Sequence, residues 1–265
     1  MYAFEYLRPD TAAAAAAAAS GADARYLAGG QSLVQAMKLR LSSAERLVDL
    51  GGLDALRAIE VSGGRVVIGA MATHAQVHAS AAVRGAIPAL ADLAGGIGDA
   101  MVRNMGTLGG SFANADPAAC YPAAAVALGA TIRTDRREIP AEAFFTGLYE
   151  TALQPGELVL SVSFPVPTRA AYAKFKQPAS RFALVGVMVS QSPAGVRVGV
   201  TGARACVFRC AELEAALNAS FTPEAAAAVT LPVAGMNADL HASADYRAAM
   251  VVTMTARAVK AALGR

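Results

Sequence analysis

The sequence is poor in cysteine, in dense positive charge and in long apolar runs, and each shortage excludes a class of protein. Three cysteines in 265 residues, Cys120, Cys206 and Cys210, are odd in number and do not outline a disulfide scaffold. They are too few for an iron–sulfur cluster held by four thiolates. Cys206 and Cys210 have three residues between them, not the two of a thioredoxin-type pair, so both read as structural. Net charge is only +3, and the nearest thing to a basic run, Arg133 to Arg137, is interrupted by Asp135. That pattern is a solvated turn rather than a nucleic-acid surface. Although 55% of residues are hydrophobic, much of this is alanine, and the longest bland run is Ala12 to Ala19. A membrane helix needs roughly 18 or more consecutive apolar residues, so no membrane span is expected. The opening MYAFEYLRPD is unlike a signal peptide, and a cytoplasmic protein is the expectation.

Common catalytic and nucleotide fingerprints are also missing. Gly96-Ile97-Gly98 is followed by Met101 where a dinucleotide-binding G-x-G-x-x-G needs its last glycine. No G-x-x-x-x-G-K-[ST] and no G-x-S-x-G occurs, which argues against a P-loop nucleotide hydrolase and an α/β-hydrolase. His74 and His78 share one helix face, but Ala75 stands where a metalloprotease needs glutamate and no third ligand is obvious. Asp116 and Glu157 are too distant in sequence to argue an acid/base pair and read as surface residues. No catalytic and no metal-ligating residue is assigned.

The chain is long enough for one large domain or two modest ones. Asp10 or Thr11 caps an alanine helix over 11–20, and residues 25–28 form a short extended piece. A helix over 31–39, a strand over 46–50 and a hairpin around Ser62-Gly63-Gly64 follow. Thr73 caps a helix over 74–82, and another helix spans 88–94. Strands are expected near 130–134 and 158–164, and Pro165 and Pro167 suggest a linker. Three antiparallel strands (172–176, 182–191, 195–202) and three helices (211–218, 223–229, 242–263) complete the chain. The division falls near 167, between a mixed α/β domain and a smaller α+β domain.

Two glycine-rich segments carry the chemistry. Ala28-Gly29-Gly30-Gln31-Ser32-Leu33 places a glycine pair and a hydroxyl between a strand and a helix. Glycine permits positive φ and close approach of a ligand to the backbone, and a helix start offers free N–H groups to a phosphate. Asn104-Met105-Gly106-Thr107-Leu108-Gly109-Gly110-Ser111 repeats the theme with threonine and serine. Two such segments suggest an elongated anion with two phosphates, gripped from both sides.

AGGQSL at 28–33 and RNMGTLGGSFANADPAA at 103–119, with IGAMATHAQV at 68–77 and GELVLSVSFP at 156–165, resemble the flavin subunits of molybdenum hydroxylases. This group includes carbon monoxide dehydrogenase medium subunits and the flavin domain of xanthine dehydrogenase. The resemblance runs from about residue 2 to the C-terminus. It implies an α+β fold: a two-lobed FAD-binding domain of the vanillyl-alcohol-oxidase (PCMH) type over 1–167, with lobes of about 1–55 and 56–167. A small C-terminal α+β domain with an antiparallel sheet would occupy 168–265. Ala28, Gly29, Gly30, Gln31 and Ser32 would wrap the FAD diphosphate, flanked by Leu27 and Leu33. Thr107, Gly109, Gly110 and Ser111 would form the opposing wall, with Thr107 and Ser111 donating hydrogen bonds. Ile97 would lie against the adenosine end, and the region near Val159 would contribute backbone and apolar contacts. Lys176 would approach the flavin ring, with Lys174 as the alternate.

Two positions depart from the family pattern: Gln31 stands where histidine is common, and Cys120 where a carboxylate is usual. The second change implies a weaker hold on FAD, or replacement of the carboxylate by Asp116. Buried as a small thiol, Cys120 has an equally good structural reading. The resemblance further implies non-covalent FAD and electrons received from a small iron–sulfur subunit with two [2Fe-2S] clusters. The substrate would react on a large molybdopterin subunit, and the assembly would be a dimer of heterotrimers. The electron acceptor stays open among NAD⁺, oxygen, a quinone or another carrier. The alternatives are a free-standing flavin oxidase of the same fold and a non-catalytic assembly subunit.

Overall fold

Short apolar strands punctuated by glycine build three principal sheets in succession in the computed structural model, which describes residues 1–21 and 23–264. The first is parallel, with Arg46–Asp49 between Glu5–Leu7 and Ala24–Leu27. Parallel neighbours need a crossover, and the alanine helix Ala12–Ala18 provides one, capped by the Thr11 hydroxyl accepting from the Ala14 N–H at 3.1 Å. The helix Leu33–Lys38 leads from the second strand back towards the central one.

The second sheet is antiparallel and five-stranded, in the order Ile59–Ser62, Arg65–Gly69, Val159–Pro165, Thr131–Thr134, Glu138–Pro140. Its first hairpin turns at Gly63-Gly64, both at positive φ (56° and 72°), as a two-residue hairpin turn requires. Its centre pairs residues almost a hundred positions apart, Ser161 with Gly69. The expected helix over 74–82 is two helices, His74–Ala79 and Ala81–Ala86. Ser80, extended at ψ 118°, ends the first, and its hydroxyl accepts from Val83 N–H to cap the second.

The third sheet, Arg169–Lys176, Ala183–Ser192, Gly195–Thr201 and Phe208–Arg209, is an antiparallel meander. One face presents Val185, Val187, Val189, Val196, Val198 and Val200 to the amphipathic helix Ala244–Leu263, whose Val251, Met254, Ala258 and Val259 complete a core. The opposite face receives the helix Cys120–Leu128, all nine of whose residues are buried. Gly199 permits that approach, because a Cβ there would overlap the Ala123 carbonyl oxygen and lie 2.8 Å from Val126 Cγ2. The Thr201 hydroxyl lies 2.7 Å from both the Pro117 and Ala119 carbonyl oxygens, fastening the entry to this helix.

Glu157 departs from its expected surface role. Its carboxylate is buried and accepts from Arg137 Nε and Nη2 at 3.0 Å, from the Thr134 hydroxyl at 2.8 Å and from the Gln154 N–H at 2.8 Å. The Arg137 guanidinium, joined by the other donors and opposed by burial, holds it at about 2 rather than 4.5. A depressed carboxylate stabilises the fold fully above pH 4.5, and that contribution is lost as pH falls towards 2. Glu157→Ala strands several donors, and a loss of about 2–3 kcal/mol is expected, read by urea denaturation at pH 7. An unchanged midpoint would show that the cluster adds nothing.

Candidate functional site

The strand Ala24–Leu27 ends where the Leu27 carbonyl accepts from the Leu50 N–H, and the chain then turns through Ala28, Gly29 and Gly30. Gly30 has φ +69°, a left-handed conformation that glycine adopts without penalty. The following helix, Leu33–Lys38, has Ser32 at its N-cap with no side-chain capping bond. Among the described residues, the backbone N–H groups of Gly29, Gly30, Gln31 and Ser32 have no acceptor, and the Ser32 hydroxyl has no partner. Gln31 is exposed, with its amide nitrogen 3.4 Å from the Gly29 carbonyl. Leu33 packs inward against Met37, Ala44 and Leu47.

The second glycine segment is largely helical, which its glycines disguise in the sequence. Thr107 caps Leu108–Asn114 by accepting from the Gly110 N–H at 3.1 Å, so Gly109, Gly110 and Ser111 form a first helical turn. The preceding helix, Ala100–Met105, is capped by Asp99. Residues 70–74 run alongside and clamp the segment. Gly109 N–H donates to Ala70 O (2.8 Å), Leu108 N–H to Ala72 O (2.9 Å) and His74 N–H to Gly106 O (3.0 Å). Ala70 N–H in turn donates to Leu160 O, which brings the strand holding buried Val159 up behind the clamp.

The two segments meet backbone to backbone. A Cβ on Gly29 would overlap the Met105 carbonyl oxygen and lie 2.9 Å from Gly106 Cα. A Cβ on Gly109 would lie 2.5 Å from the Ala70 Cβ, and one on Gly110 3.7 Å from the Ala28 Cβ. Ala28 to Ser32 and Gly106 to Ser111 thus form one cradle, with no side chain filling the contact. Thr107 is buried, and its hydroxyl accepts from Gly110 while its own proton stays available; Ser111 is half-buried, with no side-chain partner among the described residues. This set of amide and hydroxyl donors without acceptors, beside glycines that cannot be enlarged, fits a diphosphate.

Beside the cradle, the carbonyls of residues 96–98 collect cations. Lys174 Nζ donates to Gly96 O at 2.6 Å, Arg103 to Ile97 O at 3.1 Å and Gly98 O at 3.2 Å, and Arg181 to Gly98 O at 3.4 Å. Ile97 itself is half-buried against the main core. Lys174 Nζ also lies 3.5 Å from the Cys120 Sγ and donates to Arg181 O at 3.1 Å. Cys120 is buried at the first position of its helix, with Tyr172 close by. Burial first, and Cys120 second, push the Tyr172 phenol well above its usual range. Asp116 accepts from Ala118 N–H at 2.8 Å and from the Tyr149 hydroxyl at 3.3 Å.

Of the two lysines, the alternate is the one tied to these loops. Lys176 is exposed at the end of its strand and makes no hydrogen bond or ion pair with its side chain among the described residues. The clamp at 70–74 lies within the IGAMATHAQV segment that carries the resemblance, and Thr73 and Gln76 add a capping box; the sequence assigns no site role to the side chains of Arg103 and Arg181. No group of three or more histidine, cysteine, aspartate or glutamate side chains among the described residues could hold a metal. No helix among them is long and apolar enough to cross a membrane.

Residues 2–167 match the family described as the FAD binding domain in molybdopterin dehydrogenase. The chain is 35% identical to a carbon monoxide dehydrogenase medium chain of Hydrogenophaga pseudoflava, over 99% of this chain and 98% of the relative. It is 34% identical to the nicotine 6-hydroxylase medium subunit of Paenarthrobacter nicotinovorans, over 89% of each. Among solved structures, carbon monoxide dehydrogenase from Hydrogenophaga pseudoflava superposes with a TM-score of 0.88 at 34% identity, covering 99% of this chain and 98% of that one. Quinoline 2-oxidoreductase from Pseudomonas putida 86 does so with a TM-score of 0.89 at 29% identity, covering 99% and 98%. With matches of this identity along almost its whole length, the chain belongs to the FAD-binding medium subunits of the molybdenum hydroxylases, a flavoprotein component of an oxidoreductase.

Proposed function

We propose that this chain takes electrons from the clusters of a small iron–sulfur subunit and passes them to an external acceptor. FAD would be held without a covalent bond between Ala28–Ser32 and Thr107–Ser111. The single observation that carries the reading is the pair of facing glycine turns: among the described residues, the backbone N–H groups of Gly29, Gly30, Gln31 and Ser32 in the first have no acceptor, and the hydroxyls of Ser32, Thr107 and Ser111 are free to donate. When bound, FAD supplies the redox chemistry that links one- and two-electron carriers. The protein's own part is to bind, orient and shield.

Gly29 and Gly30 let the backbone come within hydrogen-bond reach of the diphosphate, and Ser32, Thr107 and Ser111 donate to it. Leu27 and Ile97 would exclude water along the cofactor, while Leu33 supports the first turn from its core side and Val159 backs the clamp. Lys174, held against Gly96 and Cys120, brings a positive charge next to the cradle, where Lys176 stands farther out on the same strand. Cys120 is a poor acceptor, and Asp116 is the carboxylate in the same turn that serves in its place. The division into 1–167 and 168–265 places the cradle in the first domain and the lysines in the second.

The molybdopterin centre, and the substrate, would belong to a third, larger chain, in a dimer of heterotrimers. Support comes from the names of the relatives, which are medium chains and medium subunits. The test is to purify the full chain, add FAD, denature it and measure flavin in the supernatant. About one FAD released per chain is expected. Flavin that stays with the polypeptide would favour a free-standing covalent oxidase, and protein that stays colourless with added FAD would overturn the reading.

A further inference from the structure

His74 and His78 carry the spacing of a metal pair, yet their side chains go different ways. His78 Nδ1 lies 2.9 Å from the Ala91 carbonyl oxygen. His74 turns inward and is 5% exposed, with its ring centroid 5.4 Å from that of the fully buried Tyr121. Neither His74 Nδ1 nor the Tyr121 hydroxyl has a hydrogen-bond partner among the described residues. Such groups cost folding free energy and are rare, so two on neighbouring rings mark a place where something other than stability is being served.

The other edge of the ring identifies it. A Cβ on Gly106 would lie 2.7 Å from His74 Nε2, and the His74 backbone N–H donates to the Gly106 carbonyl. Ring and backbone of one residue therefore both bear on the glycine that precedes Thr107. Burial holds the imidazole neutral, pushing its pKa down from 6.5 to about 4, and the charge of Arg103 acts in the same direction. The helices packed against His74–Ala79 bring Arg84, Asp92 and Arg103 to its neighbourhood, Cys120 and Tyr121 come from the helix behind, and His78 shares its own.

We propose that neutral His74 is a positioning residue for the second cofactor loop: its ring is the floor beneath Gly106 and Thr107, and a charge on it dislodges that loop from the first. The inference rests on the FAD reading above. With the loop closed the ring resists protonation, and with the loop open it regains its ordinary basicity. Acid therefore favours the open form, increasingly as pH falls below 6.5 towards 4.

The experiment titrates FAD into the full chain between pH 7.5 and 4.5, with circular dichroism at each pH to confirm that the protein is folded. Wild-type affinity is expected to fall about tenfold between pH 6.5 and 4.5. His74→Gln, neutral throughout and able to fill the same space, should bind within about threefold of wild type at pH 7.5 and stay flat to 4.5. His74→Ala, lacking the floor, should bind at least about tenfold more weakly at pH 7.5. If His74→Ala fails to fold, the pH profile of His74→Gln decides. A His74→Gln profile that follows wild type, or a folded His74→Ala that binds like wild type, overturns the positioning role and leaves the FAD reading intact. Wild-type protein that binds no FAD at any pH overturns both.

Discussion

Gly29→Ala is expected to abolish FAD binding while leaving the chain folded. The added methyl would overlap the Met105 carbonyl oxygen and lie 2.7 Å from its carbon and 2.9 Å from Gly106 Cα. All three are backbone atoms, so no side-chain rotation relieves the clash and the two turns must separate. Hydrogen bonds to phosphate weaken steeply outside about 2.7–3.2 Å, and several amides would move together. A loss of at least about a hundredfold in affinity follows if two charge-assisted hydrogen bonds of about 1.5–3 kcal/mol each are broken. FAD content per purified chain measures it. Gly29→Ala protein that carries wild-type FAD would show that these turns are not the diphosphate grip. Gly30→Ala makes a useful contrast: its strain comes from φ +69°, about 1–2 kcal/mol, and from a Cβ 2.9 Å from the Val34 Cγ2, and it leaves the contact with Met105 alone.

Gly199→Val is expected to cause the largest loss of stability and to remove the cofactor indirectly. Its Cβ would overlap the Ala123 carbonyl oxygen and crowd Val126, on a helix buried along its full length. Overpacking of this kind costs about 1–3 kcal/mol, and more where backbone must move. The helix carries Cys120, beside Lys174, and its entry is fastened by Thr201. Lifting the sheet away would therefore also loosen one wall of the site. Urea denaturation should show the lowered midpoint, and FAD content should fall with it. A variant with wild-type stability would mean that this sheet and helix are not packed as described.

Much of the local structure could be read directly from the residues. Thr11 followed by alanines specifies a capped helix, Ser62-Gly63-Gly64 a hairpin, and Ala28 to Leu33 a turn into a helix, because each depends on φ preferences and capping within a few residues. Where tertiary contacts overrule such preferences, the reading fails. Gly109 and Gly110 are poor helix formers, yet they lie in a helix, where a side chain at Gly109 would clash with Ala70 and one at Gly110 would crowd the Thr107 hydroxyl. Ser80 breaks a helix that the apolar pattern alone would continue. Glu157, polar and next to a turn, looks like a surface residue until Arg137, Thr134 and Gln154 converge on it. Lys174 and Lys176 occupy equivalent faces of one strand, and only the position of residues 96–98 and Cys120 tells them apart.

By itself, then, the sequence determined the class of ligand and marked two segments as its proposed grip. Glycine pairs followed by hydroxyls are set by backbone sterics and by the free N–H groups of a helix start, which need no knowledge of the remaining chain. The shortage of cysteine placed any iron–sulfur cluster on another chain for the same local reason. The tertiary structure decided how the two segments face each other, through the pairing of Gly69 with Ser161 and the clamp at Ala70 to His74. It also decided that His74 is buried with its ring against Gly106. Those outcomes depend on contacts between residues many tens of positions apart, which no local preference encodes.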